Sequence, residues 1–306
     1  MKTGLCCPSA IVFCLLTACC LPALAQEGNT RQIFAEEFVK ARPGKSSAGR
    51  KTAWRKVASK SAAALKSPDA GADSIRQLGL TIWRMRPAVS ADTGARIIVQ
   101  EGDDAAEWVP ERVEAGTALR IGEHIRFSFE APQAGWLYVI DREQYSDGSL
   151  GEPFLIFPTT RTRNGDNQIS AGHIIEIPGQ EDRPNFFTMK RTRGDQTGEV
   201  MTVVVTPQPL AEITVGPKAL KLSSEQVAKW EKQWGAKTER FEMIGGAGKT
   251  WTRAEQEAGG GTTRQLTQDD PGPQTIYRVA TRPGEPILVK VGLRYGQPKP
   301  RRQRPR

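Results

Sequence analysis

Short apolar runs separated by turn-forming residues constrain the fold of this chain more than any other feature. From about residue 77 to residue 210, these runs alternate with segments rich in Gly, Pro, Asp and Asn. Such spacing predicts short antiparallel strands. The predicted strands are GLTIWRM near 80, RIIVQ near 98, HIRFSF (124–129), WLYVID (136–141), PFLIFP (153–158), HIIEIP (173–178) and EVMTVVV (199–205). The predicted fold class is mainly β, an antiparallel immunoglobulin-like β-sandwich.

Two of these runs predict which side chains are buried. In HIRFSF, apolar and polar residues alternate, which is typical of a strand with one face in water. Its polar side chains, expected on the solvent face, are those of His124, Arg126 and Ser128. WLYVID has apolar residues on both faces, as a central strand of a sheet does. We expect its aromatic residues, Trp136 and Tyr138, to pack in the core.

The pattern changes after residue 215. SSEQVAKWEKQWG predicts one short helix, because Ser223 can cap it, Gln226 can complete a capping box and Gly235 can end it. Three further strands follow, and they form a predicted C-terminal β extension: RFEMI (240–244), TIYRVA (275–280) and PILVKVGLRY (286–295). The pattern leaves open whether this extension enlarges the same sheet or forms a subdomain.

The N-terminus predicts export. Residues 1–25 have a basic start at Lys2, an apolar centre and the A-x-A site Ala23-Leu24-Ala25, which together are typical of a signal peptide. A second interpretation is a lipoprotein leader, since residues 16–19 match a lipobox that would be acylated at Cys19. The cysteines all lie in this leader, at positions 6, 7, 14, 19 and 20. We therefore expect an extracytoplasmic mature chain without disulfides or a second apolar span.

Charge divides the rest of the chain. Residues 40–66 hold nine Lys or Arg and no acid, whereas residues 67–293 hold 26 basic and 31 acidic side chains. The last thirteen residues hold six basic side chains and no acid. The predicted organisation is a basic linker at 26–74, a sandwich domain at 75–215, the helix and β extension at 216–295, and a basic disordered tail at 296–306. Such arms attract anionic polymers or acidic partners, although they also serve as solvated tails without a partner.

GGAGKTW, residues 245–251, resembles the end of a phosphate-binding loop. That loop requires a glycine where this chain has Met243, and it lies in folds of alternating strands and helices. The preceding strands are typical of a sandwich instead. We interpret the stretch as a glycine-rich connection.

The sequence offers few groups for catalysis or metal binding. His124 and His173 are the two histidines, they fall on different predicted strands, and common hydrolase motifs are missing. A transition-metal site usually needs more nitrogen or sulfur ligands, and the acidic residues near 141–147 do not have the EF-hand spacing. We therefore predict no cofactor, no metal and no specific nucleic-acid partner. A carboxylate pair of glycosidase type stays open.

The segment between two of the strongest predicted strands, 141–152, is the candidate binding surface. Asp147-Gly148 predicts a tight turn within it. Its candidate binding residues are Asp141, Arg142, Glu143, Tyr145 and Asp147.

The stretch GWLYVIDREQYSDGSLGEPFLIFPTTRTRNGDNQISAGHIIEIP resembles the bacterial domain-of-unknown-function family 4384 over about residues 120–210. The residues that carry the resemblance are Gly135, Trp136, Leu137, Tyr138, Asp147, Gly148, Ile156, Phe157, Pro158, Asn167, Ile169, Ala171, Gly172 and Pro178. The resemblance implies a β-sandwich module of secreted or envelope proteins, with no enzymatic activity of its own.

These observations favour a non-catalytic binding or scaffold protein of the bacterial cell envelope, with an envelope protein or an anionic polymer as partner. One alternative is an envelope hydrolase that uses a carboxylate pair. Another is a passive module that its basic arms anchor to anionic polymers.

Overall fold

Two β-sheets packed face to face form the body of the protein. The structure is a computed structural model, and it describes residues 36–44, 52–57, 74–101, 104–260 and 264–296. Sheet A consists of β1 (Trp54–Val57), β2 (Ser74–Pro87), β3 (Ile97–Glu101), β4 (Asp104–Val113), β6 (His124–Glu130), β10 (Ile175–Ile177), β11 (Phe187–Thr188), β14 (Thr238–Met243) and β15 (Thr275–Thr281). Sheet B consists of β5 (Ala118–Leu119), β7 (Gly135–Tyr145), β8 (Phe154–Phe157), β9 (Gln168–Ile169), β12 (Gln196–Thr206), β13 (Leu220–Lys221) and β16 (Ile287–Tyr295).

The strand order follows from antiparallel pairing. Sheet A runs β1-β14-β15-β2-β4-β3, with β6 also paired to β2, and sheet B runs β13-β8-β7-β12-β16-β5. The pairing of β16 with β5 is parallel. The prediction of a mainly β sandwich is therefore confirmed.

The main core lies between the sheets. Leu137 and Val139 of β7 point into it beside Val203 and Val205 of β12, and they face sheet A residues such as Phe129. Burying an aliphatic side chain of this kind stabilises the fold by about 1.5–3 kcal/mol. This continuous apolar layer holds the two sheets together.

The outer face of sheet B is covered by helix α1, Ser224–Trp234. It begins at the predicted cap, because the Ser223 hydroxyl accepts a hydrogen bond from the Gln226 amide, and it ends at Gly235. The capping box that Gln226 was expected to complete is not formed. Trp230 belongs to the same apolar cluster as the outward-facing Tyr138 of β7, whose exposed fraction is 3%. Residues 137–140 of β7 are thus buried on both faces, as the sequence predicts, whereas Trp136 is only partly buried.

The outer face of sheet A is covered as well, which the sequence did not predict. A helical segment at 36–40, helix α2 (Arg253–Gly259) and the connections 244–252 and 264–274 lie over it. α2 begins with a capping box between Thr252 and Glu255. The structure therefore contains more than the one short helix expected.

Because of this cover, the prediction that one face of β6 lies in water is wrong. All seven of its residues are buried, including the three polar ones expected in water. The Ser128 hydroxyl accepts a hydrogen bond from the Trp83 indole at 2.7 Å, and the guanidinium of Arg126 lies over the Trp251 ring at 5.6 Å. The alternation within β6 is real, but its polar face meets a third layer of the protein.

Three ion pairs are buried where sheet A meets this cover: one lies within the sheet, between β6 and β10, and two join the sheet to the cover. Arg126 donates to Glu176 at 2.8 Å, and Arg42 donates to both carboxylate oxygens of Glu130 at 2.8 and 2.7 Å. The third pair joins Arg112 to Glu255 of α2. Removing one member of such a pair leaves an uncompensated charge, which costs about 3–5 kcal/mol. The cover is therefore tied to the sheet by charge as well as by apolar contact.

The segments predicted as a linker and as an extension belong partly to the body. β1 pairs with β14, and Phe38 is fully buried against Trp54, although both residues lie in the predicted linker 26–74. β14 and β15 are integral strands of sheet A and β16 of sheet B, so residues 216–295 enlarge the sheets of the 75–215 region. The few apolar side chains of the predicted linker, which stand among Lys, Ala and Ser in the sequence, pack against apolar residues of neighbouring strands.

The predicted leader with Cys19 and most of the basic tail lie outside the described residues. Within the described ranges, no helix is both long and apolar enough to cross a membrane.

Candidate functional site

The first part of the segment predicted as a binding loop, 141–152, is strand. β7 continues to Tyr145, and a tight turn follows in which Gly148 has φ +85° and its amide donates to the Tyr145 carbonyl at 3.0 Å. The Asp147 carboxylate accepts hydrogen bonds from the Ser149 amide and hydroxyl, which lower the pKa of Asp147. The turn predicted at Asp147-Gly148 is confirmed, and its carboxylate is engaged within the turn.

The strand separates the other four candidate residues by face. Arg142 lies on the opposite face of β7 from Asp141 and donates to the Gly151 carbonyl at 2.8 Å. Asp141 is paired across the sheet with Met201, a core residue, and Glu143 is paired with Glu199. Asp141, Glu143 and Tyr145 therefore lie on the inner side of sheet B, where β7 extends past the apolar core.

A network of carboxylates and tyrosines fills this end of the sandwich. The Tyr145 hydroxyl donates to one oxygen of Glu143 and the Thr192 hydroxyl to the other, both at 2.5 Å. The Tyr295 hydroxyl lies 2.6 Å from an oxygen of Glu199. We call the set Asp141, Glu143, Tyr145, Glu199 and Tyr295 the carboxylate network.

Burial dominates the electrostatics of the network. It raises the pKa of Asp141 to about 8, and the nearby charges of Glu199 and Glu143 add to that rise. The Oδ1 atom of Asp141 is shielded from solvent and has no hydrogen-bond partner within the described residues. Burial also raises the pKa of Glu199, although the Tyr295 hydroxyl opposes this. Asp141 is thus a carboxyl group that retains its proton near neutral pH.

The histidines do not join this network. His124 is buried, with its ring 4.1 Å from that of Phe186, and its Nδ1 lies 3.0 Å from the Thr188 hydroxyl. His173 lies 2.6 Å from the amide nitrogen of Gln265. In the described parts of the chain, no group of three or more His, Cys, Asp or Glu side chains is placed to hold a metal ion.

The stretch 245–251 is a structural connection along β4. The Gly248 amide donates to the Arg112 carbonyl and the Arg112 amide to the Lys249 carbonyl, each at 2.9 Å. Trp251 is buried and donates from its indole to the Ala95 carbonyl at 2.7 Å. This backbone pairing with β4 agrees with our interpretation of the stretch as a glycine-rich connection.

A second polar site lies at one edge of the sandwich. A groove of about 530 Å³ is lined by Arg55, Val57, Glu114, Ala115, Gly116, Thr117, Arg240, Gly292 and Arg294. We call it the arginine groove. Val57 pairs with Arg240 on the neighbouring strand, and Arg240 pairs in turn with Tyr277 on the next strand. Tyr277 is a residue of the core between the sheets. Sheet A therefore presents its inner face to the groove, beyond the last long strand of sheet B.

The three arginines of the groove differ in their partners. Arg55 donates to Glu114 at 2.6 Å, with both side chains partly exposed. The Nε of Arg240 lies 3.6 Å from a carboxylate oxygen of Glu242, whose exposed fraction is only 1%. Arg294 is exposed and has no acidic partner within the described ranges. The groove thus carries one positive charge more than its carboxylates can neutralise.

The pKa of Glu242 makes that surplus depend on pH. Burial raises it to about 7, and hydrogen bonds from Thr275 and Gln274 oppose this rise together with the charge of Arg240. Near neutral pH, part of the population has Glu242 protonated. Arg240 then loses its counter-charge, and the groove becomes more positive.

The sequence does not predict this groove, because its arginines come from three strands that are far apart in the chain. Arg55 lies in the predicted linker, Arg240 in the predicted extension and Arg294 in the last strand. One signal was present: in TERFEM (238–243), charged residues alternate with Phe241 and Met243, which predicts a charged face on that strand.

Comparisons of the chain with family models, with curated proteins and with solved structures found no match. The resemblance to family 4384 stays a prediction, and the site is interpreted from its own chemistry.

Proposed function

We propose that this protein is an extracytoplasmic, non-catalytic binding protein of the cell envelope that takes an anionic ligand in the arginine groove. The observation that carries the proposal is Arg294, an exposed guanidinium at an open groove with no acidic partner in the described part of the chain. A guanidinium stays charged at any physiological pH and matches a carboxylate or phosphate with two parallel hydrogen bonds.

The shape of the site supports binding over simple surface charge. Two further arginines line the same groove, and apolar Val57 and Ala115 form part of its wall. A charge beside low-dielectric walls interacts more strongly with a ligand than a charge on an open surface does. Arginines converging on one concave site distinguish the groove from scattered basic side chains.

The two basic regions of the sequence both reach this site. Val57, the last described residue of the first region, lines the groove, and Gly296, the described residue of the 296–306 tail, comes two residues after Arg294. Residues 297–306 add five basic side chains and no acid. This continuity supports a ligand with several negative charges, and it joins the predicted role of the arms to a folded site.

We locate the ligand in the groove instead of the 141–152 segment. Of the five residues predicted there, Glu143, Tyr145 and Asp147 bond within the protein, Arg142 bonds to a backbone carbonyl, and Asp141 is shielded. Their polar groups are largely satisfied by the protein itself.

The proposal is tested by titrating the purified protein with inorganic polyphosphate and with oligoglutamate, at low and at high salt. We expect binding at low salt that weakens steeply at 1 M, where the Debye length falls to about 3 Å. Arg294→Ala should weaken binding several-fold. Arg253→Ala is the matched control, because Arg253 is 85% exposed, pairs with Glu257 and does not line the groove. Equal loss in both variants, or binding that salt does not affect, would contradict the proposal.

A carboxylate-dependent hydrolase is the second candidate, and the raised pKa of Asp141 is the observation that favours it. A protonated carboxyl group near ionised carboxylates is the arrangement that general acid catalysis uses. Hydrolysis of envelope glycans or peptides that Asp141→Asn abolishes would establish this function. If Asp141→Asn retained any such activity, the hydrolase function would be contradicted.

A further inference from the structure

The outer edge of β16 has a stretch without a partner strand. β12 pairs with one edge of β16 from Arg294 down to Ile287. On the other edge, β5 pairs only with Arg294 and Tyr295, and Gly235 forms a single bridge to Leu288. Between these contacts, no strand of the described chain pairs with residues 289–293.

This gap has the length of a short strand. Five residues at about 3.3 Å each span roughly 16 Å, close to the usual length of a strand in globular proteins. An unpaired edge presents backbone N–H and C=O groups that can pair with another extended chain. The parallel contact with β5 at one end and the Gly235 bridge at the other mark the limits of this surface.

The arginine groove lies at the same edge. Gly292 and Arg294 of β16 line it, and Arg55 and Val57 of β1, the edge strand of sheet A, line it from the other sheet. A Cβ atom added at Gly292 would meet no heavy atom within 4 Å, so the face of sheet B that carries Gly292 and Arg294 is open at this residue. The unpaired edge of β16 and the arginine groove are therefore adjacent.

We propose that the ligand of the groove is an extended acidic peptide that adds to sheet B as a strand along residues 289–293 of β16. This inference rests on the proposed function and names its ligand class. The peptide backbone would pair with β16, and its carboxylates would bind Arg294 on the outer face of sheet B. Strand addition of this kind derives affinity from main-chain hydrogen bonds and specificity from alternate side chains.

Charge complementarity selects this occupant. In a strand, every second side chain points to the same side at a spacing of about 7 Å, so a peptide with alternating acids presents a row of carboxylates on the face of sheet B that carries Arg294. A second copy of β16 would bring Lys290 and Arg294 against the same residues, and like charges across a strand pair are destabilising. Polyphosphate or an acidic polysaccharide supplies the charge but has no peptide backbone to pair with the edge.

The test compares four probes by fluorescence anisotropy with the purified protein. They are a labelled peptide of alternating Glu and Val, the same peptide N-methylated at its central backbone nitrogens, a Lys and Val peptide, and polyphosphate of equal charge. We expect the Glu and Val peptide to bind more tightly than polyphosphate and the Lys and Val peptide not to bind. N-methylation should weaken binding at least about tenfold, because it removes several hydrogen bonds of about 1 kcal/mol each while keeping every charge.

A second readout locates the peptide. Amide hydrogen exchange followed by NMR should show new protection within residues 289–293 when the peptide is bound. Arg294→Ala should weaken binding of the Glu and Val peptide several-fold, whereas Arg253→Ala should leave it unchanged and both variants should keep the wild-type unfolding midpoint. Equal binding of the N-methylated peptide, equal or tighter binding of polyphosphate, or no new protection would overturn strand addition but leave anion binding intact. Failure of every anionic probe to bind would overturn both proposals.

Discussion

The arginines buried beneath the cover and the arginines of the groove have the same chemistry in opposite surroundings. Arg112 and Arg126 are buried at the outer face of sheet A, each against one glutamate, and burial lowers the pKa of both guanidinium groups. Arg294 lies in an open groove without an acidic partner in the described chain. A buried and paired arginine can contribute to stability but has no access to a ligand. An exposed and unpaired arginine contributes little to stability and is free to bind.

The largest effect expected from this difference is on stability. Arg126→Ala should lower the free energy of unfolding by about 3–5 kcal/mol, because Glu176 would stay buried without its counter-charge. Urea unfolding followed by tryptophan fluorescence measures this loss. Replacing both members, as Arg126→Met with Glu176→Leu, should recover most of it. A loss below about 1 kcal/mol in Arg126→Ala would mean that the pair is open to water.

The carboxylate network should produce the next largest effect, through pH. The folded pKa of Asp141, about 8, exceeds the ordinary value of 3.8, so the folded protein holds a proton that the unfolded chain releases between these values. Stability should therefore fall as pH rises from about 4 to 8. Asp141→Asn removes this dependence. It should stabilise the protein at pH 8 by at least about 2 kcal/mol, since one pKa unit corresponds to about 1.4 kcal/mol.

Urea unfolding of wild type and Asp141→Asn at pH 5 and pH 8 provides the measurement. Asp147→Asn is the control, because the pKa of that exposed carboxylate is lowered by Ser149 and its variant should not gain stability at high pH. Parallel pH profiles for wild type and Asp141→Asn would show that Asp141 is ionised in the folded protein.

Elements that depend on local patterns could be predicted from the sequence, whereas elements that depend on pairing between distant segments could not. Local patterns suffice for β7, where Leu137 and Tyr138 alternate between two apolar surroundings, and for α1, where Ser223 and Gly235 mark the ends. The segment WRKV at 54–57 is too short and too basic to predict as a strand by itself. It is ordered by pairing with β14, almost 190 residues away in the chain.

Both polar sites depend on such distant pairing. Glu143 and Glu199 meet only because β7 and β12 pair in one register, and a shift of one residue would turn either side chain to the other face. The buried surroundings of Arg126 likewise come from α2 and the connection that precedes it, more than 100 residues later in the chain. Periodicity predicts which residues share a face, whereas tertiary structure decides what that face meets.

For the groove, the expected effect of losing an arginine is on binding. Arg294→Ala should weaken the binding of oligoglutamate by about fivefold to tenfold, which corresponds to roughly 1 kcal/mol. The free energy of unfolding should change by no more than about 0.5 kcal/mol, as for most exposed substitutions. Titration calorimetry and urea unfolding on the same sample separate the two quantities. A large loss of stability in Arg294→Ala would place this residue with the buried arginines and remove it from the ligand site.

The smallest expected effect is a pH dependence of binding set by Glu242. Its pKa of about 7 means that lowering the pH from 8 to 6 protonates this carboxylate, which removes the negative charge 3.6 Å from Arg240. Binding of an anion should therefore strengthen by a few-fold over this range.

Glu242→Gln isolates this contribution. The variant should bind polyphosphate or oligoglutamate at pH 8 about as tightly as wild type binds at pH 6, with little change between the two values. Glu114→Gln is the matched control, because Glu114 also lies beside a groove arginine, Arg55, but is partly exposed. It should strengthen binding equally at both pH values. If wild type binds equally at pH 6 and 8 while Arg294→Ala still weakens binding, the ligand contacts Arg294 without reaching Arg240.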